Sequence, residues 1–267
     1  MRFAEPVISA TLASMFMDKV AIITGASRGI GLAISRKFHQ EGARVVLCAR
    51  SSDALNRHQA EFGGERSLAL RMDVRDPADV EAAVKQAVDR FGKIDFVINN
   101  AGISGVTPIE AKDAAPWIDI INTNLLGPFH VTRSATPHVP DGGRIVMMSS
   151  VLGKFGVPGY TAYCSAKTAL IGFTRALALE LAHRKITVNA LCPGWTDTDM
   201  AWDGMKAIAS GAGITVDEFN KQAMSAVPLR QMVQPGEVAD LTAFLCSEAG
   251  KNITAQAISI CGGSTQA

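Results

Sequence analysis

The chain has 267 residues, 48% hydrophobic and 19% charged, with 26 basic against 25 acidic side chains and a formal net charge of +1. That balance, with no long run of either sign, excludes a basic footprint for nucleic acid or an anionic membrane, and the apolar content excludes a disordered polar chain. A chain of this length buries roughly 70 to 75% of its unfolded surface, so it needs no disulfide or metal staple.

Residues 1–17 read as an N-terminal extension, poorly ordered or lying on the surface; Glu5, Pro6, Ser9, Thr11 and Ser14 interrupt its apolar run and argue against a signal segment. From Lys19 onward, apolar runs rich in valine and isoleucine predict strands over 20–24, 44–49, 68–72, 94–99, 144–149, 186–191 and 257–261. Segments of helical period predict helices over 30–40, 77–91, 115–134, 160–181 and 235–247. Strand and helix alternating this way predict right-handed crossovers and one α/β domain, residues 18–267, with a doubly wound, seven-stranded parallel sheet covered by helices on both faces. The one long irregular stretch, 195–227, reads as a lid over a pocket. Cys48, Cys164, Cys192, Cys246 and Cys261 are widely separated and form no C-x-x-C pair, which predicts reduced thiols and a cytoplasmic protein. No apolar run reaches the roughly 18 residues of a membrane span.

The first strand runs into Thr24-Gly25-Ala26-Ser27-Arg28-Gly29-Ile30-Gly31 and then a helical pattern. Glycines at such a junction allow a tight turn and close backbone approach to a pyrophosphate, and the helix N-terminus adds N–H groups and a positive dipole. The spacing G-x-x-x-G-x-G has a wider first gap than the G-x-G-x-x-G fingerprint. The second strand ends at Ala49 and Arg50, where an acid would accept an unphosphorylated ribose; Arg50, with Arg28 as a second cation, favours NADP(H) over NAD(H). Asp53 or a backbone group is the competing ribose ligand, with Arg50 then a solvated cation.

A second constellation begins at Ser150, after the strand over 144–149. Tyr163 follows thirteen residues later, and Lys167 lies four beyond it, on nearly the same helix face. A tyrosine of ordinary pKa, about 10, is a poor acid–base at neutral pH. The neighbouring cation is expected to lower it, so that Tyr163 exchanges a proton with a carbonyl or alcohol oxygen that Ser150 also contacts.

Thr24 to Gly31, Asn99-Asn100-Ala101-Gly102, Asn124, Ser150, Tyr163 with Lys167, and Pro193-Gly194 with Thr196 and Thr198 stand in the order and spacing of the short-chain dehydrogenase/reductase family, which the chain resembles across residues 18–263. The resemblance implies Tyr163 as catalytic acid–base and Lys167 as the residue that lowers its pKa and binds the nicotinamide ribose. It implies Ser150 as the group that orients the carbonyl and Asn124, rather than Asn122, as part of a proton relay. For the cofactor it implies Gly25, Ser27, Arg28, Gly29, Ile30 and Gly31 at the pyrophosphate and Arg50 at the ribose. It further implies Asp73 and Val74 at the adenine, Asn100, Ala101 and Gly102 under the adenosine, and Pro193, Gly194, Thr196 and Thr198 over the nicotinamide. Cys261, where many members have Asp, and the bulky Trp195 depart from the pattern. The tail, 227–263, resembles the ketoreductases of aromatic polyketide synthesis and then the β-ketoacyl thioester reductases.

Val151, Leu152, Phe155, Val157, Tyr160, Trp195, Met200, Trp202 and Met205 are pocket candidates around Ser150 and Tyr163, and their bulk suits an apolar or aromatic ketone, with an acyl thioester as a further substrate class. Arg133, His138 and Arg175 are cations that could meet an acyl-carrier phosphopantetheine or simply be solvated. The helices over 115–134 and 160–181 are apolar all round; family members pair such helices across a two-fold axis, which implies a homotetramer. The leading expectation is NADPH-dependent carbonyl reduction. An NAD(H)-linked alcohol or 3-hydroxyacyl dehydrogenase, and a non-catalytic cofactor-binding regulator, are the alternatives that cofactor preference and Tyr163→Phe discriminate.

Overall fold

A computed structural model describes residues 15–266, so the expectation for residues 1–14 lies outside them. Its strands are β1 (Val20–Thr24), β2 (Arg44–Ala49), β3 (Ser67–Arg71), β4 (Phe96–Asn99), β5 (Arg144–Met148), β6 (Thr187–Pro193) and β7 (Ala257–Ile260). They pair in parallel as one sheet of order β3-β2-β1-β4-β5-β6-β7. The order in which strands are added to the sheet reverses between β1 and β4, so their carboxyl ends open the crevice where α/β sheets bind ligands. All five residues of β1, Val-Ala-Ile-Ile-Thr, are buried, as a strand covered on both faces requires.

The helices are α1 (Gly29–Gln40), α2 (Ser52–Phe62), α3 (Pro77–Phe91), α4 (Ala115–Ile121), α5 (Gly127–Ala135), α6 (Thr161–Leu181), α7 (Asp199–Ala212), α8 (Val216–Ser225) and α9 (Pro235–Cys246). On one face of the sheet α3, α5 and α6 supply Val80, Val84, Val131, Leu170 and Ala178 to a continuous apolar core. On the other, α1, α2 and α9 supply Ile34, Phe38, Leu55, Val238 and Ala243. Start and stop signals are local: Asp76 accepts from Ala78 N to cap α3, Pro77 opens it, and Gly92 ends it in the left-handed conformation.

Four expectations change. Phe16, two residues before the expected domain boundary, is 1% exposed, with its ring 4.8 Å from Phe38 and 5.0 Å from Phe96; at least this part of the segment is core, because an aromatic ring buries more area than a surface strap can shelter. The helix expected over 115–134 divides into α4 and α5 around a π-helical turn, Asn122–Leu126. Pro128 lacks the N–H that would satisfy the Asn124 carbonyl at ordinary α-helical spacing, and the Gly127 N–H reaches back to Asn122 O instead. The stretch 195–227 is not irregular: it holds α7, capped by Thr198, and α8, capped reciprocally by Thr215 and Glu218. Finally, α2 forms although only Leu55 of its residues is buried, too few for an apolar stripe to show in sequence.

Candidate active site

The turn after β1 is built from backbone that only glycine accommodates. Gly25 and Gly29 have φ of 66° and 56°. A Cβ on Gly25 would lie 2.9 Å from Ala101 Cα, and one on Gly31 would fall onto Gly25 O and Asn100 Nδ2. Helix α1 begins at Gly29 behind Arg28, with no side chain capping its first turn, so its N–H groups stay available to an anion. The partly buried Ser27 gives its carbonyl to His58 Nε2 at 3.1 Å, and Ile30 packs its side chain onto the core behind the turn. Thr24, at the strand end, ties this turn to β4: its buried Oγ1 accepts from Asn100 N at 2.9 Å and Ala101 N at 2.8 Å. Asn100 Nδ2 in turn donates to Thr24 O at 3.0 Å and Gly25 O at 3.3 Å. The motif displayed Thr24 without showing that it is the hinge pin between the two strand ends.

At the far end of the crevice, Arg50 is exposed at the tip of β2 and its charge helps hold the Asp73 carboxyl below the usual range. The larger cause is Arg75, whose guanidinium grips both Asp73 oxygens at 2.5–3.2 Å and also reaches Asp119 at 2.6 Å. Val74 beside it is buried against Gly127, where a Cβ would lie 2.6 Å from Val74 Cγ2. Arg28 is not free at this ribose end: it pairs with Asp199 at 3.1 Å, the first residue of α7. The two charges are exposed, and the pairing follows from the unforeseen helix α7, which brings an acid over the glycine turn.

The chemistry-bearing side chains gather at the carboxyl ends of β4, β5 and β6. Ser150, buried, starts the turn after β5 and its Oγ accepts from Leu152 N at 3.2 Å. Tyr163 stands in the first turn of α6, near enough to Ser150 for the serine hydroxyl to act on its pKa. Lys167, one turn along, is buried, with Nζ 5.4 Å from the Tyr163 ring centroid and donating to Met148 O at 2.8 Å. Ser149 Oγ donates to Lys167 O at 2.8 Å and fixes the helix against β5. Asn124 sits fully buried in the π-turn, where Oδ1 accepts from Ile103 N at 2.9 Å and Nδ2 donates to Ile103 O at 2.8 Å. A Cβ on Gly102 would lie 3.2 Å from Asn124 Oδ1 and 3.5 Å from Lys167 Nζ, which places glycine, amide and ammonium around one point.

The electrostatics differ from the expectation that Lys167 lowers the Tyr163 pKa. Burial pushes the Tyr163 phenol up to about 12, opposed by the Ser150 hydrogen bond, and burial pulls Lys167 down to about 8. Desolvation penalises both charged forms, and the Lys167 ammonium is turned onto a backbone carbonyl. In the protein alone, Tyr163 therefore holds its proton.

Pro193 ends β6, and Gly194 follows because a Cβ there would meet Cys261 Cβ at 2.9 Å and Cα at 3.0 Å. Thr196 is buried and donates to Gly194 O at 3.1 Å; Thr198 donates to Thr196 O at 3.2 Å and caps α7. Among the pocket candidates, Tyr160 borders the Tyr163 phenol closely enough to act on its charge. Trp195 stands edge-to-face with Phe219 of α8 at 6.3 Å, and Trp202 Nε1 donates to Asp197 at 2.8 Å, so both indoles are engaged within the segment that holds α7 and α8. Phe155 and Met200 are exposed, and Leu152 and Val157 are partly exposed. Val151 and Met205 are buried; Met205, at 0% exposure, is packing within its helix environment and offers no open wall, a correction to its place among the pocket candidates. The five cysteines are free thiols, four of them buried and Cys164 half-buried.

Comparison with known proteins follows this geometry. The family described as Enoyl-(Acyl carrier protein) reductase matches residues 25–265. The chain is 37% identical to the 3-oxoacyl-[acyl-carrier-protein] reductase FabG of Staphylococcus aureus, over 93% of this chain and 99% of that protein. It is 41% identical to the oxidoreductase UcpA of Salmonella typhimurium, over 92% and 94%. A variant of actinorhodin polyketide ketoreductase, solved with NADPH, superposes with a TM-score of 0.89 at 38% identity, over 93% of this chain and 98% of that one. The chain belongs to the short-chain dehydrogenase/reductase family and is an NAD(P)-dependent oxidoreductase of C=O and CH–OH groups.

Proposed function

We propose that the protein is an NADPH-dependent carbonyl reductase acting on a bulky apolar or aromatic ketone or a β-ketoacyl substrate, with Tyr163 as proton donor. The observation that carries this reading is the packing of the Tyr163 turn against the end of β5: Ser149 Oγ donates to Lys167 O at 2.8 Å, Lys167 Nζ lies 5.4 Å from the Tyr163 ring, and the buried Ser150 follows Ser149 directly. A hydroxyl and a phenol held at neighbouring positions suit a single carbonyl oxygen.

The chain fits a dinucleotide by its own geometry: the uncapped first turn of α1, the glycine cradle that a Cβ on Gly31 would fill, and the exposed Arg50 at the ribose end. The ketoreductase variant named above, solved with NADPH, supports NADPH for this chain. Gly25, Ser27, Arg28, Gly29, Ile30 and Gly31 hold the pyrophosphate, Arg50 the 2′-phosphate, Asp73 and Val74 the adenine, Asn100, Ala101 and Gly102 the adenosine, and Pro193, Gly194, Thr196 and Thr198 the nicotinamide. When bound, the reduced nicotinamide supplies hydride to the carbonyl carbon. Ser150 orients the carbonyl oxygen. As its π pair becomes an alkoxide, Tyr163 gives it the phenolic proton, and Lys167 stabilises the phenolate left behind. Asn124 anchors the relay that returns a proton.

The chain acts as one domain whose core includes Phe16, with a lid over 195–227, as a homotetramer in the cytoplasm. Among the described residues no helix is long and apolar enough to cross a membrane. Tyr163→Phe keeps the ring and removes the acid; ketone-dependent NADPH consumption falls by about a hundredfold to ten-thousandfold while NADPH still binds. Retention of full turnover overturns the mechanism.

A further inference from the structure

The geometry points to Thr107 as a positioning residue that caps the Tyr163 helix from another loop and sets the phenol against Ser150. This rests on the reading of Tyr163 as proton donor. Thr107 is 4% exposed, while Val106 beside it and Ile109 two residues on are 50% and 84% exposed. A polar residue buried between exposed apolar ones inverts the usual preference, so hydrophobic burial does not explain it.

Its bonds do. The residue preceding α6, Tyr160, offers no side-chain cap. Thr107 Oγ1 takes that role across 55 residues of sequence, accepting from Ala162 N at 3.3 Å in the first turn. Thr107 N donates to Gly159 O at 2.6 Å, and Thr107 O accepts from Thr161 Oγ1 at 2.8 Å. Backbones 107 and 160 pair as an isolated parallel bridge. Thr161 Oγ1 also accepts from Trp117 Nε1 of α4 at 3.2 Å. The residue after Ala162 is Tyr163, so these bonds fix the axial position and rotation of the turn that carries the phenol. The segment that ends here begins at Asn100 and Ala101, bound to Thr24, and passes Ile103, bound to Asn124. One loop thus references the phosphate turn, the π-turn amide and the tyrosine helix to the same backbone. A small displacement of a reacting group is enough to cost a large factor in rate.

The test compares wild type, Thr107→Val, Thr107→Ser and Thr161→Val with Tyr163→Phe, measuring kcat and KM for NADPH with one ketone, NADPH binding by fluorescence, and thermal midpoints. Thr107→Val should lower kcat by about tenfold or more with NADPH binding changed by less than about twofold. Thr107→Ser, which restores the oxygen, should return kcat to within about threefold of wild type, and Thr161→Val, at an exposed position that tolerates change, should lower kcat in the same direction. Wild-type kcat in Thr107→Val and Thr161→Val, beside an inactive Tyr163→Phe, overturns the positioning role alone. A Thr107→Ser that stays as impaired as Thr107→Val also overturns it. If Thr107→Val does not fold, Thr161→Val with Thr107→Ser decides by the same criteria. An active Tyr163→Phe overturns the proton-donor reading, and the role of Thr107 with it.

Discussion

Burial raises the Tyr163 phenol, which is half-buried, and lowers the Lys167 ammonium, which is buried, so desolvation acts against both charged forms. The protein has two tyrosines, Tyr160 and Tyr163, so Tyr160→Phe leaves one phenol to titrate by tyrosinate absorbance. In the protein alone the midpoint should stand well above the ordinary value of about 10, near 12. Since the folded-state pKa is the raised one, the stability this phenol contributes is complete below the unfolded value and is lost as pH rises through about 12. A midpoint at or below the ordinary value contradicts the burial account. If Arg50 carries the cofactor preference, as proposed, Arg50→Asp should raise KM for NADPH by about tenfold to a hundredfold and leave that for NADH within about threefold, in steady-state assays with both. Equal effects on both would place the 2′-phosphate elsewhere. Tyr163 and Lys167 were legible because a four-residue spacing puts them on one helix face, and their grouping with Ser150 was legible through the resemblance to the family. The burial that sets their charges was not, since it depends on what folds over them, and the Arg28–Asp199 pair was hidden because its acid lies 171 residues away.

Strands and long helices announce themselves by period, whereas short elements are set by caps and by clashes. Helices α7 and α8 were hidden in the stretch 195–227, where Gly204, Gly211 and Gly213 break the helical pattern. Gly213 is instead the left-handed end of α7 at φ 70°, and a Cβ on Gly204 or Gly211 would meet only open space. The π-turn was equally hidden, though Pro128 marked the point where α-helical bonding could not continue. Gly31 shows the opposite case, a glycine whose need is absolute. Gly31→Ala drives a methyl into the backbone oxygen of Gly25, which cannot swing aside as a side chain would. It should destabilise the fold by about 1–3 kcal/mol, read from urea unfolding, and weaken NADPH binding further than that loss explains. Unchanged stability and binding would mean the turn is looser than its geometry.

At the scale of the whole molecule, the sheet order places β1, β4, β5 and β6 side by side, and every group proposed to handle the proton comes from their carboxyl ends or from the helices packed on them. The alternation of strand and helix made the parallel, doubly wound sheet readable in sequence, whereas the order of its strands came with the structure. Assembly is a matter of surface: Leu179 of α6 is 75% exposed and Phe129 of α5 is 42% exposed, on the two helices whose all-round apolarity suggested pairing. If those faces join copies in a tetramer, Leu179→Glu should leave each chain folded, within about 0.5 kcal/mol, and lower the mass seen in sedimentation. An unchanged tetramer, or a monomeric wild type, rejects that interface. The central claim is tested by one assay: NADPH and NADH consumption, side by side, on a panel of bulky aromatic ketones and β-ketoacyl thioesters, with wild type and Tyr163→Phe. The account predicts turnover with NADPH on at least one class and its loss in Tyr163→Phe; a wild type that reduces none of them, or a Tyr163→Phe that reduces them as fast, contradicts it.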